Sequence, residues 1–148
     1  ASAPFKVESM ADRYIACCNV PDECQDHAAT VARFAKDCRK KMVEVVKKLE
    51  VLLGPGTSDL RCRLAITTGP VTAGVLRGDK ARFQLFGSTM DFCLALDSSG
   101  LANEIHVSES TATLLRASGH GDWLTPRTEK VQFKGKGIIS QTYWLHYQ

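Results

Sequence analysis

The spacing of apolar residues changes from a strand pattern to a helix pattern within the first third of the chain. Residues 5–8 and 14–18 have the short apolar character of β-strands, and the residues between them predict a tight turn at 10–13. From residue 22 to 53, apolar residues recur at steps of three and four until Gly54-Pro55-Gly56 ends the pattern. We therefore predict a β-hairpin followed by a long amphipathic helix.

Predicted strands and helices alternate through the rest of the chain. An alternating strand pattern stops at the turn pair Gly69-Pro70, and a glycine-rich stretch follows. This mixture of hairpins and crossovers predicts an α+β fold with helices packed on a mixed sheet. In order, we predict strands at 61–67 and 83–86, a helix at 91–96, a strand at 105–107, a helix at 109–117 with Ser108 as N-cap, and strands at 131–133 and 141–147. The predicted core comprises Phe34, Val45, Ile66, Val75, Leu114 and Leu145.

Length and composition predict a single domain over residues 1–148. The chain has 148 residues, 44% of them hydrophobic, which is enough for one core and too little for two ordinary domains. Its net charge of +3 comes from dispersed basic residues with acids between them, so we expect no nucleic-acid partner. Because no apolar run approaches the ~20 residues of a membrane span, we expect no membrane contact by this segment.

The cysteines indicate a reducing compartment. The chain has six, without a CxxC pair and mostly within apolar stretches, where a thiol behaves as a small hydrophobe. We expect reduced, buried thiols and a cytoplasmic location, with any membrane attachment in other parts of a parent protein. Cys24 and His27 resemble half of a zinc site, but the sequence has no second pair at zinc spacing.

Five sequence blocks, in order along nearly the whole chain, resemble a known family. Residues 6–14 read K-V-E-S-M-A-D-R-Y and residues 63–75 read R-L-A-I-T-T-G-P-V-T-A-G-V, followed by R-F-Q-L-F-G-S-T at 82–89, I-H-V-S at 105–108 and F-K-G-K-G at 133–137. The first two blocks resemble K-V-E-T-I-G-D-A-Y and R-I-G-I-H-T-G-P-V-V-A-G-V of guanylate cyclase catalytic domains. The chain thus resembles a class III nucleotidyl cyclase, a family with a ferredoxin-like α/β domain and with active sites formed between two domains in a head-to-tail dimer.

This resemblance implies attack of a ribose 3′-hydroxyl on the α-phosphate, assisted by two Mg²⁺ or Mn²⁺ ions. Asp12 matches a metal-binding aspartate, and its alternative is an ordinary turn residue. Glu8 matches the carboxylate that accepts hydrogen bonds from guanine, where adenylate cyclases carry lysine; its alternative is an exposed strand residue. Gln84 matches the second base-contacting position and suits guanine without excluding adenine. Lys134 matches the lysine that binds the terminal phosphates, and its alternative is a glycine-rich turn.

The chain departs from the family pattern in two respects. The family's first strand, F-x-D-I-x-G-F, carries the other metal-binding aspartate and is absent from these residues. Because that strand is central in the family sheet, we expect either a longer protein or another chain to fill the gap. The family's N-x-x-x-R, whose Asn orients the ribose and whose Arg stabilises phosphate charge, is matched by Asp91 and Ala95, and Ser88 replaces a usual Asp. Loss of such a cation typically costs ~100- to 1,000-fold in rate, so we expect this chain alone to be impaired.

Two functional hypotheses follow from these residues. In the first, the chain is a guanylate cyclase domain that converts GTP (or ATP) within a homo- or heterodimer of cyclase domains. In the second, it is a degenerate cyclase homology domain that acts in dimerisation or nucleotide-dependent regulation. Asp91 and Ala95 favour the second, while Glu8, Asp12 and Lys134 favour the first. A ferredoxin-like RNA-binding module is disfavoured, because the chain lacks the aromatic pairs on neighbouring strands that stack on bases.

Overall fold

A computed structural model of the chain describes residues 3–10, 12–133, 137 and 139–146. It contains three helices and ten strands among these residues, with 3-10 turns at Pro55–Asp59 and Gly121–Trp123. In chain order the elements are β1 (Phe5–Met10), β2 (Arg13–Cys17), α1 (His27–Leu53), β3 (Leu64–Ile66), β4 (Thr72–Arg77), β5 (Ala81–Phe86), α2 (Ser88–Ser98), β6 (Ile105–Ser108), α3 (Glu109–Ala117), β7 (Leu124–Pro126), β8 (Val131–Gln132), β9 (Ile139–Ser140) and β10 (Thr142–Leu145).

A four-stranded mixed sheet with the strand order β3-β6-β10-β7 forms the centre of the fold. The β3–β6 pair is parallel, whereas β10 pairs antiparallel with both β6 and β7. The predicted α+β class, with helices on a mixed sheet, is therefore confirmed. The hairpins β1–β2 and β4–β5 are separate two-stranded sheets, and β8 pairs with β9. Within the described residues, the hairpin that carries Glu8 is thus not hydrogen-bonded to the central sheet.

Strand β6 is buried on both faces, because helices cover both sides of the sheet. Ile105 and Val107 belong to the core cluster with alanines of α1 and with Leu115 of α3. Side chains alternate along a strand, so His106 points to the opposite face, where its ring contacts the Leu96 carbonyl oxygen of α2. Helices α1 and α3 therefore lie on one face of the sheet and α2 lies on the other.

The structure confirms part of the predicted core and overturns the rest. Ile66 and Leu145 are buried, and Phe34 is half-buried against Tyr14 with ring centroids 6.4 Å apart. The assignment of the other three to the core is wrong: Val45 is 46% exposed, Val75 60% and Leu114 37%.

The three errors have physical reasons that the apolar pattern does not contain. Val45 lies on the exposed face of helix α1, because the next residue, Val46, points to the buried face. Val75 lies on the β4–β5 hairpin, outside the central sheet. In α3, Leu115 lies on the buried face of the helix, whereas its neighbour Leu114 lies on the exposed face.

Several element boundaries also differ from the prediction. Helix α1 begins at His27, five residues later than predicted, and α2 extends beyond the predicted residues 91–96 at both ends. Strand β4 lies in a stretch that was predicted to be loop. Gly74 weakens the strand pattern of that stretch, and the strand forms by pairing with β5. Ser108 is confirmed as the N-cap of α3, where its hydroxyl oxygen accepts a hydrogen bond from the Thr111 N–H. None of the helices in the described part of the chain combines the length and apolar character needed to span a bilayer.

One buried charge was not predicted from the apolar pattern. Lys36 on α1 is 2% exposed, and its Nζ lies 3.4 Å from the centroid of the Trp123 ring. Burial lowers the pKa of this amine to about 8, and the neighbouring Arg33 and Arg39 act in the same direction. The aromatic face partly offsets the lost hydration through a cation–π interaction.

Acidification is expected to destabilise the fold through His106. Its Nδ1–H donates to the Leu96 carbonyl oxygen at 2.9 Å, and its Nε2 lies 2.8 Å from the Thr142 hydroxyl and 3.4 Å from the Arg127 guanidinium, a group that can only donate, so the arrangement suits a neutral ring with Nε2 as acceptor. Burial lowers the pKa of His106 below its ordinary value of 6.5. The unfolded chain therefore binds more protons, and the free energy of unfolding falls as the pH drops from 6.5 toward the folded-state pKa.

Urea unfolding at pH 7.5 and pH 5.5 measures this effect. The loss of stability at the lower pH should shrink in His106→Gln and persist in a control at the exposed His146, His146→Gln. An equal pH dependence in wild type and His106→Gln would contradict the assignment.

Candidate active site

The two residues matched to base recognition lie on adjoining strands. The rings of Phe5 on β1 and Phe83 on β5 meet edge to face, with centroids 5.5 Å apart. Glu8 lies three residues after Phe5 and opposite Ile15 of β2, beyond an irregularity between Lys6 and Glu8. Gln84 follows Phe83 directly and pairs with Gly74 of β4. Both Glu8 and Gln84 are half-buried, so each of these hydrogen-bonding side chains is partly shielded from water, on two strands that the contact of Phe5 with Phe83 brings together.

Asp12 lies at the tip of the first hairpin. Met10 pairs with Arg13, so Asp12 belongs to the tight turn between them, and its side chain is exposed. The described residues contain no group of three or more His, Cys, Asp or Glu side chains placed to hold a metal ion. Asp12 is a carboxylate of the type that Mg²⁺ prefers, but the described residues of one chain do not complete a divalent-metal site around it.

Helix α2 carries the two altered family positions one turn apart. Asp91 is exposed in the first turn, where its backbone N–H donates to the Gly87 carbonyl oxygen at 3.2 Å. A carboxylate there interacts favourably with the helix dipole, so Asp91 has a structural role independent of nucleotide. Ala95 is half-buried in the next turn and offers only a methyl group. Ser88 is the exposed first residue of the helix.

The residue before Lys134 is packed on the same helix. Phe133 is 6% exposed, and its ring lies 4.2 Å from the ring of Phe92, the neighbour of Asp91. Lys134 itself lies outside the described residues. The contact of Phe133 with α2 brings the chain to this helix at the point where the predicted phosphate-binding block begins.

A cluster of hydroxyl groups around the Gly69-Pro70 loop was missed by the sequence analysis. The Thr89 hydroxyl of α2 donates to the Pro70 carbonyl oxygen at 2.7 Å, and the Ser110 hydroxyl of α3 donates to the Thr68 carbonyl oxygen at 2.7 Å. These bonds attach the end of β3 to the start of both helices. The Gly-Pro pair signals the turn, but Ser and Thr are too common for the sequence to identify their partners.

Replacing Gly69 by alanine should destabilise this loop. A Cβ atom at residue 69 would lie 2.5 Å from Thr89 Oγ1, which is the oxygen bonded to Pro70. We expect Gly69→Ala to lower the free energy of unfolding by about 1–3 kcal/mol, as measured by chemical denaturation. Gly74→Ala is the matched control, because no atom lies within 4 Å of its added Cβ. An equal effect of both substitutions would contradict the proposed steric conflict.

Cys93 lies between the two altered positions of α2 and packs against the central sheet. Its thiol lies 4.0 Å from the Ala65 carbonyl oxygen of β3. The pKa of Cys93 is raised to about 11, mainly by burial and secondly by the negative charge of Asp97, while the positive charge of Arg13 acts in the opposite direction. The thiol is thus protonated near neutral pH and is a poor nucleophile. The six cysteines are half-buried and not fully buried as predicted.

The family of the chain follows from its match to a family model over residues 2–147, described as the adenylate and guanylate cyclase catalytic domain. The chain belongs to this family of nucleotidyl cyclase catalytic domains. Several of its curated relatives are guanylyl cyclases. It is 34% identical over 142 residues to retinal guanylyl cyclase 1 of Bos taurus, covering 95% of this chain and 12% of the relative. It is 33% identical over 142 residues to guanylate cyclase soluble subunit beta-2 of Rattus norvegicus, covering 95% of this chain and 19% of the relative.

Solved structures agree with this assignment. The guanylate cyclase domain of RhGC from Catenaria anguillulae, in complex with GTP, superposes with a TM-score of 0.76 at 28% identity, covering 98% of this chain and 73% of that chain. The adenylyl cyclase CyaB from P. aeruginosa shares the fold, with a TM-score of 0.80 at 20% identity over 98% of this chain and 72% of that one. The chain spans less than a fifth of the length of the curated relatives named above.

Proposed function

We propose that this chain is a guanylate cyclase domain that converts GTP to cyclic GMP and pyrophosphate, with impaired turnover when it acts without a better-equipped partner. The ribose 3′-oxygen forms a bond to the α-phosphorus, the bond from that phosphorus to the bridging oxygen of the β-phosphate breaks, and the hydroxyl proton is released. The observation that carries the proposal is the placement of Glu8 and Gln84, half-buried on adjoining strands in a chain of this family.

Each matched residue has a proposed role in this reaction. Glu8 accepts hydrogen bonds from N1 and the exocyclic amine of guanine, donors that adenine does not present in that pattern. Gln84 donates its side-chain N–H to guanine O6. Asp12 contributes one carboxylate to the Mg²⁺ or Mn²⁺ ions that the reaction requires, with the remaining ligands supplied from outside the described residues. Lys134 binds the terminal phosphates.

A second cyclase domain is the partner that the exposed surface supports. The β4–β5 hairpin leaves Leu76 49% and Phe86 39% exposed, and the register of the two strands places both on the face that carries Gln84. Apolar side chains grouped in this way are typical of a protein–protein contact. We propose a homo- or heterodimer in which this hairpin is covered and the nucleotide lies between the two domains.

Two residues of α2 favour a second function, which is regulatory. Asp91 and Ala95 place a carboxylate and a methyl group where the family has an amide and a guanidinium, which weakens both ribose orientation and charge stabilisation. A regulatory domain that dimerises and binds nucleotide without turnover is the alternative that this pair of residues favours.

The test is cyclic nucleotide formation from Mn²⁺-GTP and Mn²⁺-ATP by the native protein that contains this chain. We expect cyclic GMP to form faster than cyclic AMP, at a rate well below that of an unaltered cyclase. A dimer that binds nucleotide without forming product would favour the regulatory alternative. A protein that neither binds nor converts purine nucleotides would overturn both functions.

A further inference from the structure

The predicted phosphate-binding block lies between strands β8 and β9. These two strands pair with each other, and within the described residues neither strand pairs with the central sheet or with a hairpin. Hydrogen bonds between strands therefore do not fix this two-stranded ribbon to the body of the domain. Its position depends instead on the side chains that it buries.

Two side chains at the start of the ribbon point inward. Val131 and Phe133 are each 6% exposed, whereas Gln132 between them is exposed, which is the alternation of a strand with one buried face. The Phe133 ring packs on the Phe92 ring of α2, with centroids 4.2 Å apart and an interplanar angle of 37°. Phe133 is thus anchored to α2, and Lys134 is the residue joined to it by the next peptide bond.

Helix α2 is a firm support for this contact. Near its amino end, the Thr89 hydroxyl donates to the Pro70 carbonyl oxygen at 2.7 Å. Farther along, Leu96 is fully buried and its carbonyl oxygen accepts a hydrogen bond from the His106 ring at 2.9 Å. Phe92 is half-buried between these two attachment points. A side chain that packs on Phe92 is therefore held relative to the central sheet.

The sequence around Lys134 contains one neighbour that can pack. Gly135 follows it and has no side chain, so the packing neighbour is Phe133, which precedes it. A lysine loses conformational entropy when it binds a phosphate group, and this loss weakens binding. Holding the adjacent residue in place before the ligand arrives reduces the loss, which is the general effect of preorganisation.

Resting on the proposed function, in which Lys134 binds the terminal phosphates, we propose that Phe92 is a positioning residue for phosphate binding. Its ring holds Phe133, and with it the amino end of the phosphate-binding block, against α2. Phe92 acts through Phe133 and not by contact with the nucleotide. Loss of the Phe92 ring then weakens binding of the phosphate chain and leaves recognition of the base unchanged.

Equilibrium binding of two ligands to the native protein that contains this chain tests the proposal. One ligand is the α,β-methylene analogue of GTP, which keeps the terminal phosphates but has a bridge that the cyclase reaction cannot break. The other is GMP, which lacks the terminal phosphates. In isothermal titration calorimetry with Mn²⁺, Phe92→Ala should raise the Kd of the GTP analogue by about 10-fold, the size of a lost aromatic pair. The Kd of GMP should change by less than about 2-fold, because the base contacts are independent of this ring.

A cycle of variants separates positioning from folding. Lys134→Ala should also raise the Kd of the GTP analogue, and Phe92→Ala/Lys134→Ala should bind it no more weakly than Lys134→Ala alone, because the ring acts through the lysine. Phe92→Tyr keeps the ring and should restore the wild-type Kd. Leu94→Ala removes an apolar side chain that is 37% exposed on the same helix and should change neither Kd. Thermal unfolding identifies any variant that does not fold, and Phe92→Leu, which loses the ring but keeps most of the apolar bulk, then replaces Phe92→Ala in the cycle.

The outcomes that overturn this inference differ from those that overturn the proposed function. If Lys134→Ala weakens binding of the GTP analogue and Phe92→Ala does not, the inference is overturned and the role of Lys134 stands. If Phe92→Ala weakens both ligands by the same factor, or if the two losses add in the double variant, Phe92 serves the fold in general and the inference is again overturned. If Lys134→Ala leaves the Kd of the GTP analogue unchanged, the proposed role of Lys134 fails and this inference fails with it.

Discussion

Replacing Glu8 by lysine is expected to lower kcat/KM for GTP by roughly 100-fold or more, because a site built to hydrogen-bond a substrate group rejects a mismatch strongly. The substitution exchanges an acceptor for a donor that faces guanine's own donors at N1 and N2. The half-buried position of Glu8 on β1 limits rescue by water. Activity with ATP should fall much less, so the ratio of cyclic GMP to cyclic AMP formed from equal mixtures is the quantity to measure.

A matched charge reversal separates base recognition from general electrostatics. Glu50→Lys makes the same exchange at an exposed position of α1 and should leave the nucleotide preference unchanged. If Glu8→Lys lowers activity with GTP and with ATP by the same factor, Glu8 contributes to folding or to phosphate binding and not to recognition of the base. If neither activity changes, Glu8 is an ordinary strand residue.

Replacing Leu115 by alanine should lower the free energy of unfolding by about 3 kcal/mol, the usual cost of a large cavity in a packed core. Leu115 is fully buried in the cluster formed by α1, α3 and the central sheet. The loss corresponds to more than a 100-fold shift toward the unfolded state at about 1.4 kcal/mol per tenfold change, and urea unfolding monitored by circular dichroism measures it.

The adjacent leucine is the natural control for this prediction. Leu114 is on the same helix and is 37% exposed, so Leu114→Ala makes the same chemical change with the same helix propensity. We expect it to cost less than about 1 kcal/mol, since surface substitutions have small effects. Equal losses at both positions would contradict the burial of one leucine and the exposure of the other.

The sequence predicted most elements correctly where a local signal was strong. The three-and-four spacing before Gly54 predicted α1, and Ser108 marked the start of α3, because periodicity and capping are properties of neighbouring residues. Strand β4 was missed because it depends on pairing with β5, which begins only after the turn beyond Arg77. The central sheet likewise joins β3 to β6 over about forty residues of intervening chain, and no local pattern contains that pairing.

The candidate site was predicted from motif resemblance, and tertiary structure decided how its parts meet. Glu8 and Gln84 lie in separate sequence blocks, and the contact of Phe5 with Phe83 brings their strands together. The roles of Glu8, Gln84, Asp12, Asp91, Ala95 and Lys134 in catalysis stay predictions for the experiments above.

The chain's family, its α+β class and its main helices were determined by the sequence alone, because motif order and apolar periodicity are properties of the linear sequence. Which apolar residues form the core was decided only by the tertiary structure, because Leu114 and Leu115 differ in direction rather than in hydrophobicity. The same holds for the buried Lys36 beside Trp123, and for Val75, which is exposed because its hairpin lies outside the central sheet. In each case the deciding quantity is the free energy of contacts between distant segments, which exists only once the chain has folded.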